Sequence, residues 1–251
     1  MTINDTSKFP TALGEASCEM RKPATGTPPS LSTRRRLLGA AGTIVAGATA
    51  GLLVPGDASA TTMLTEYFSI LATGEALFVT FYNQAVVHQE ILGLAGEALN
   101  AIEAILTEEQ IHFNFAVKNG GKPATTHFSF PHGKETFEDR GTFLATQQLG
   151  EELTNGALLA WINDWAAIGQ ARLAQIGGQL MQVEGGHRVV GRVLLDAEPW
   201  DDWGFGPVAL TSFLQVPQAV ANAGFLSPRR GNDFKFTPVS ATFPGVINTT
   251  P

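Results

Sequence analysis

Two short segments place a histidine three residues after a glutamate: Glu109-Gln110-Ile111-His112 and Glu184-Gly185-Gly186-His187. On a helix, residues three apart project from one face, so each segment offers a carboxylate and an imidazole to a common point. Carboxylate and imidazole together form a ligand set for iron, manganese and related transition metals. The other three of the five histidines, His88, His127 and His132, have no carboxylate at that spacing and read as solvated or loop-packing residues.

Two further glutamates stand at matching distances. Glu75 precedes Glu109 by 34 residues, and Glu151 precedes Glu184 by 33. In an antiparallel helical hairpin, residues at equal height are equidistant from the turn, which places the turns near Leu92-Gly93 and near Ala167-Ile168, the second beside Gly169. The chain thus reads as a duplicated hairpin: each first helix carries a lone glutamate and each second helix a Glu-His pair. Glu75, Glu109, His112, Glu151, Glu184 and His187 then make four carboxylates and two imidazoles, the ligand set of paired iron or manganese ions held inside helical bundles. Glu152 adjoins Glu151, but Glu151 shares a stripe with Leu144, Gln147, Leu158, Ile162 and Trp165, while Glu152 falls nearer Ala145, Leu149 and Asn163. The apolar stripe must face the core, so Glu151 is the expected ligand.

Burial supplies the physical reason for a cation. Glu75 stands among Phe68, Leu71, Phe78 and Tyr82, where an unpaired carboxylate costs several kcal/mol or becomes protonated. Two metal ions held by all six side chains offset that cost. The competing reading pairs the Glu and His side chains with one another or turns them to solvent. Tyr82 reads first as a core tyrosine and second as a hydrogen-bond partner of a ligand or an electron mediator. Gly185 and Gly186 each weaken a helix interior by about 1 kcal/mol relative to Ala, and leave room for another helix or a ligand to approach closely.

The elements that must position these residues follow from the periodicity. Apolar residues recur at spacings of three and four over 63–89, predicting a first helix, and over 94–119, where Gly120-Gly121 and Pro123 supply the stop. Residues 120–140 read as a long connection. Third and fourth helices are predicted over 142–162 and 169–195, joined through Asn163-Asp164 with Asp164 as N-cap. Pro199 ends the helical part, and residues 200–251, with six prolines, read as an irregular tail wrapped on the bundle with one short helix over 208–222. Trp161, Trp165, Trp200 and Trp203 read as packing aromatics, and Asp201-Asp202 as a solvated turn. No GxSxG, phosphate-binding glycine loop or CxxC occurs.

An apolar run over 37–54 follows Thr33-Arg34-Arg35-Arg36-Leu37-Leu38 and is followed by Asp57-Ala58-Ser59-Ala60. This resembles a twin-arginine export signal cleaved after Ala60; a retained membrane anchor is the alternative. Removal of residues 1–60 leaves 191 residues, ten basic against nineteen acidic side chains, and no cysteine, since Cys18 leaves with the leader. Disulfides are thereby excluded from the remaining chain. The 251-residue chain carries a net charge of −7, which excludes the electrostatic footprint of a nucleic-acid binder. With a mean hydropathy of +0.07 and one long uncharged apolar run, it is not a multi-span membrane protein.

Four segments carry a family resemblance: ATGEALFVTFY from Ala72, EEQIH from Glu108 with NGGKP from Asn119, FLATQQLGEELTNGALLA from Phe143, and VEGGHRVVGRVL from Val183. Over residues 63–196 the chain resembles the exported ferritin-like domain proteins that include the desiccation-related proteins. The resemblance implies an all-α, ferritin-like four-helix bundle over 61–199 with a long crossover between helices two and three. It also implies Glu75, Glu109, His112, Glu151, Glu184 and His187 as ligands of two iron or manganese ions. Leu158 stands where such a protein is expected to carry a tyrosine. The expected function is dinuclear-metal redox chemistry with oxygen or peroxide, or iron sequestration, in the periplasm, cell envelope or medium. A structural or stress-related bundle without functional metal is the alternative, and a cage-forming storage protein a weaker one.

Overall fold

The computed structural model describes residues 58–200 and 204–251. The segment read above as an export signal lies outside the described residues as far as Asp57, and so do Asp201, Asp202 and Trp203. The described chain is mostly helical. Four long helices, α1 (Ala58–Val87), α2 (Glu97–Lys118), α3 (Arg140–Ala167) and α4 (Ala171–Leu194), are followed by the short α5 (Val216–Asn222). α1 lies along α2 and α3 along α4, giving two hairpins.

Helix ends follow local chemistry, with one correction. Asp139 caps α3, its carboxylate accepting from the Thr142 amide at 2.7 Å, an interaction typically worth about 1 kcal/mol. Asp164, expected to cap the fourth helix, lies instead inside α3, which runs on to Ala167. Its Oδ2 accepts from the Tyr67 hydroxyl at 2.6 Å, the Ser212 hydroxyl at 2.9 Å and the Phe213 amide at 2.8 Å. It therefore ties α1, α3 and the tail together, and α4 starts from Gln170 without a side-chain cap. The turn falls at Ile168-Gly169, where the hairpin midpoint put it; Gly169 has φ +75°, a conformation glycine adopts at no steric cost. At the end of α2, a Cβ on Gly121 would collide with the Phe68 carbonyl, so only glycine lets the chain pass that close over α1.

The connection from α2 to α3 and the tail are more ordered than expected. His127–Phe128 (β1) pairs antiparallel with Phe234–Lys235 (β2), His127 opposite Lys235 and Phe128 opposite Phe234. A 3-10 turn follows at Gly133–Phe137, and another, Phe213–Gln215, leads into α5. The tail is anchored by aromatics: Phe213, Phe225 and Phe236 are buried, as are Phe128, Phe130 and Phe137 of the connection. Trp161 and Trp165 pack in the core, but Trp200 is 61% exposed, because it lies beyond the end of α4 with no apolar wall to meet. Among the described residues only α1, over Thr62–Val87, is long and apolar enough to cross a membrane, and it is mostly buried against the other helices.

Two apolar clusters fill the interior. One gathers Phe81, Phe130, Phe137 and Phe143 with Ile102 and Ile105; the other gathers Tyr67, Phe68, Trp161, Trp165, Leu173 and Ile176. Each long helix crosses from one cluster to the other. α1 passes from Ala72 to Ala76, α2 from Leu106 to Ala116, and α3 from Leu144 to Ala157. α4 passes from Leu180 to Val190. The residues in those gaps form one polar layer in an otherwise apolar interior.

Candidate metal centre

All six sequence-derived side chains lie in that layer, and all are buried: Glu109, Glu151 and Glu184 are 0% exposed, Glu75 and His187 2%, and His112 8%. They come from four helices, one glutamate each from α1 and α3 and a Glu-His pair each from α2 and α4. Glu152, the rejected neighbour of Glu151, turns outward and approaches Arg188 at 3.9 Å. α4 continues unbroken through Gly185-Gly186. Close approach is not their role, since an added Cβ would make only an ordinary contact with Asn155 at Gly185 and meet nothing within 4 Å at Gly186.

The six residues divide into two overlapping groups whose ligand atoms lie within 4.8 Å of one another. One is Glu75, Glu109, His112 and Glu184; the other is Glu109, Glu151, Glu184 and His187. Glu109 and Glu184 belong to both. Nδ1 of His112 is 3.1 Å from Glu184 and 3.7 Å from Glu75; Nδ1 of His187 is 3.2 Å from Glu109 and 3.6 Å from Glu151. Exchanging the hairpins maps each of these distances onto its counterpart, so the duplication legible in the sequence is also a duplication of geometry. The exchange is imperfect within the helices. His187 approaches its own Glu184 at 2.9 Å, whereas His112 stands 4.0 Å from its own Glu109.

Whether these residues suit metal ions is decided by what else satisfies them. Eight buried atoms here make no hydrogen bond: Oε2 of Glu75 and Glu151, both carboxylate oxygens of Glu109 and Glu184, and Nδ1 of both histidines. The two Nδ1 atoms stand at ion-pair distance from the carboxylates of the cluster but make no hydrogen bond to them. Buried polar groups are almost always paired, so a set of unpaired donor atoms converging from four helices has the chemistry of a cation site. The two groups could each hold a metal ion.

The electrostatics show how the cluster copes without metal. Burial drives the Glu109 carboxyl well above the ordinary range, and the nearby Glu184 and Glu75 carboxylates push it further. Burial also raises Glu151, to about 7, against the opposing pull of His187. Burial alone would lower both histidines. For His112 the Glu184 and Glu75 carboxylates outweigh it and push the imidazole up to about 10. His187 is raised well above its ordinary value, chiefly by Glu184. Glu184 is buried too, yet the two imidazoles hold it below the usual carboxylate range. Protons thus do part of the neutralising.

The supporting residues are unequal in the two halves. Nε2 of His187 is 2.9 Å from the Glu108 carboxylate, which fixes the ring with Nδ1 facing the cluster. Tyr82 donates its hydroxyl hydrogen bond to Glu151. Gln147 in turn donates to the Tyr82 oxygen at 3.1 Å and to the His187 carbonyl at 2.8 Å. Burial and the Glu151 and Glu109 charges raise the Tyr82 phenol well above its ordinary value. Sequence reasoning gave Tyr82 this role only as its second reading and missed Glu108 and Gln147. The signal for Glu108 was present, as the acidic residue adjoining Glu109.

The remaining histidines lie away from the centre. His127 pairs with Asp233 at 2.8 Å on the surface, and His88 contacts the Gln84 carbonyl at 2.8 Å and stacks on Phe137. Comparison of the chain with protein-family models, curated proteins and solved structures found no match.

Proposed function

We propose that this chain is an exported ferritin-like protein whose four long helices hold a dinuclear iron or manganese centre. The centre acts on dioxygen or peroxide, or serves to sequester iron. One observation carries the reading: two four-residue ligand groups share Glu109 and Glu184, so two ions held there would have two carboxylates in common. Glu75 with His112, and Glu151 with His187, would be the terminal ligands of the two ions. Such a pair supplies one-electron changes of oxidation state and open coordination positions for a small oxidant.

The rest of the chemistry belongs to the chain. Glu108 keeps the proton on Nε2 of His187, leaving Nδ1 free to ligate. Tyr82 keeps its phenolic proton and directs it to Glu151, which orients that carboxylate and holds a proton next to the centre. The aromatic clusters above and below the layer exclude bulk water and strengthen every charge interaction within it. Loading before export suits the twin-arginine leader read from residues 33–60, since that route carries folded proteins.

A second reading, a structural or stress-related helical protein, draws on the close His-Glu approaches of 2.9–3.2 Å, which allow partial internal pairing. Metal analysis of protein purified through its native export route separates the two. About two equivalents of iron or manganese per chain, lost together in Glu109→Ala or Glu184→Ala, support the dinuclear centre. Protein that carries neither metal, and whose thermal stability is unchanged on adding either, supports the structural reading.

A further inference from the structure

The two halves of the centre differ in what surrounds them. Hairpin exchange carries Tyr82, seven residues after Glu75, onto Leu158, seven residues after Glu151. Glu151 therefore receives a hydroxyl, while the corresponding place beside Glu75 is apolar. A cavity of about 40 Å³ lies there, with Leu71, Phe78, Leu158 and Phe213 among its walls and Glu75 as its one ionisable lining residue. That volume holds a molecule of two or three atoms. A second cavity of about 220 Å³ adjoins it, sharing Ile70, Gly74, Leu77, Val216 and Val220 as walls, and reaches the exposed Glu66 at its rim.

The hydroxyls along this route are already engaged. Thr154 donates to the Gly150 carbonyl at 3.2 Å, Ser69 to Thr65 at 2.7 Å and Thr73 to Ser69 at 2.7 Å. Ser69 and Thr73 also accept from the Lys122 and Ala124 amides. Their hydrogens are donated to carbonyls, so a molecule that carries hydrogen-bond donors, such as hydrogen peroxide, exchanges full hydration for the few lone pairs left on these oxygens, and a metal ion loses more. A hydrated species has a different cavity, about 240 Å³, that borders His112 and includes Gln179, Gln182 and Asn248 in its wall. Gly74 belongs to both apolar cavities, and a Cβ built on it meets nothing within 4 Å, so the space at the shared wall is open.

The geometry points to an apolar passage between α1 and α5 through which a small uncharged molecule of dioxygen's kind reaches the Glu75 side of the centre. The passage selects dioxygen over hydrogen peroxide. What the molecule does on arrival rests on the dinuclear reading; the passage itself does not.

Xenon, an apolar atom, is the probe. Xenon NMR on the full chain without added metal, together with xenon-pressurised crystals, is expected to show saturable binding beside Gly74 and Leu158. Gly74→Leu fills the shared wall from α1 and is expected to abolish that binding. Val220→Phe fills it from α5 and serves the same purpose should the first variant fold poorly. Gly178→Leu on α4 adds the same atoms where a Cβ also meets nothing within 4 Å, and is expected to leave binding unchanged. Absence of saturable binding in the parent chain, or undiminished binding in both wall variants, overturns the passage. In iron-loaded protein, Gly74→Leu is expected to slow the reaction with dioxygen several-fold and leave that with hydrogen peroxide unchanged; equal slowing overturns the selectivity. Failure of the metal reading looks different: the chain binds xenon at this place but takes up neither iron nor manganese.

Discussion

Filling the centre with metal must expel protons, and the structure sets how many. A ligating imidazole nitrogen must be unprotonated and a bridging carboxyl ionised. Without metal, His112 titrates near 10 and His187 well above its ordinary value, so both imidazoles are charged at pH 7. Burial and the neighbouring carboxylates raise Glu109 well above its ordinary value, and Glu151, near 7, is about half protonated. Because these carboxyls share one site, the count belongs to the cluster rather than to any one of them. Uptake of two divalent ions at pH 7 is expected to release about two to three protons per chain from the two imidazoles and Glu151, with Glu109 adding its share, and fewer at pH 8 as Glu151 ionises beforehand. Calorimetric titration with manganese in buffers of different ionisation heat reads this number from the slope of apparent enthalpy against buffer enthalpy. Release of fewer than about one proton, or an identical count in a chain lacking both His112 and His187, refutes the electrostatic account of the cluster.

The same shifts make the metal-free protein sensitive to base. His112 rises from 6.5 to about 10 on folding, so its contribution is complete below pH 6.5 and is lost as pH climbs towards 10. Glu151 acts in the same sense between 4.5 and about 7. Glu184, shifted downward, loses its contribution only in acid. The melting temperature of metal-free protein should therefore fall steadily from pH 6 to pH 10, whereas a flat profile would contradict these shifts. Glu108→Gln removes the charge that orients His187 and is expected to weaken metal binding by about 10–100-fold, measured by competition with a chelator, with the fold intact by circular dichroism. Asp164→Ala deprives Tyr67, Ser212 and the Phe213 amide of their common acceptor and should cost about 3 kcal/mol. Calorimetry would show this as a fall of roughly 6–12 °C in Tm for a chain of this length, with metal uptake unchanged.

The centre was more legible in the sequence than its surroundings. Spacings of 34 and 33 residues, one apart, placed four glutamates at one height, because a helical hairpin converts sequence distance into position. The stripe of Leu144, Gln147 and Leu158 chose Glu151 over Glu152, and the structure buries the first and leaves the second half-buried, facing Arg188. Asp164 was misread because an Asp near a helix end carries the same local signal whether it caps the next helix or receives long-range bonds. Its partners, Tyr67 and Ser212, are 97 and 48 residues away. The β1–β2 pair escaped for a similar reason: two residues per strand, 106 apart in sequence, leave no periodicity to detect. Gln147 was visible only as one member of a stripe, since nothing in the chain announces that it bridges Tyr82 and the His187 carbonyl.

The most direct test is diffraction from crystals grown with iron or manganese, with anomalous data collected at the metal edge. The account predicts two peaks roughly 4 Å apart, each in contact with both Glu109 and Glu184, one flanked by Glu75 and His112 and the other by Glu151 and His187. A single peak, peaks outside the polar layer, or Glu and His side chains hydrogen-bonded to one another with no metal after both soaks would contradict it.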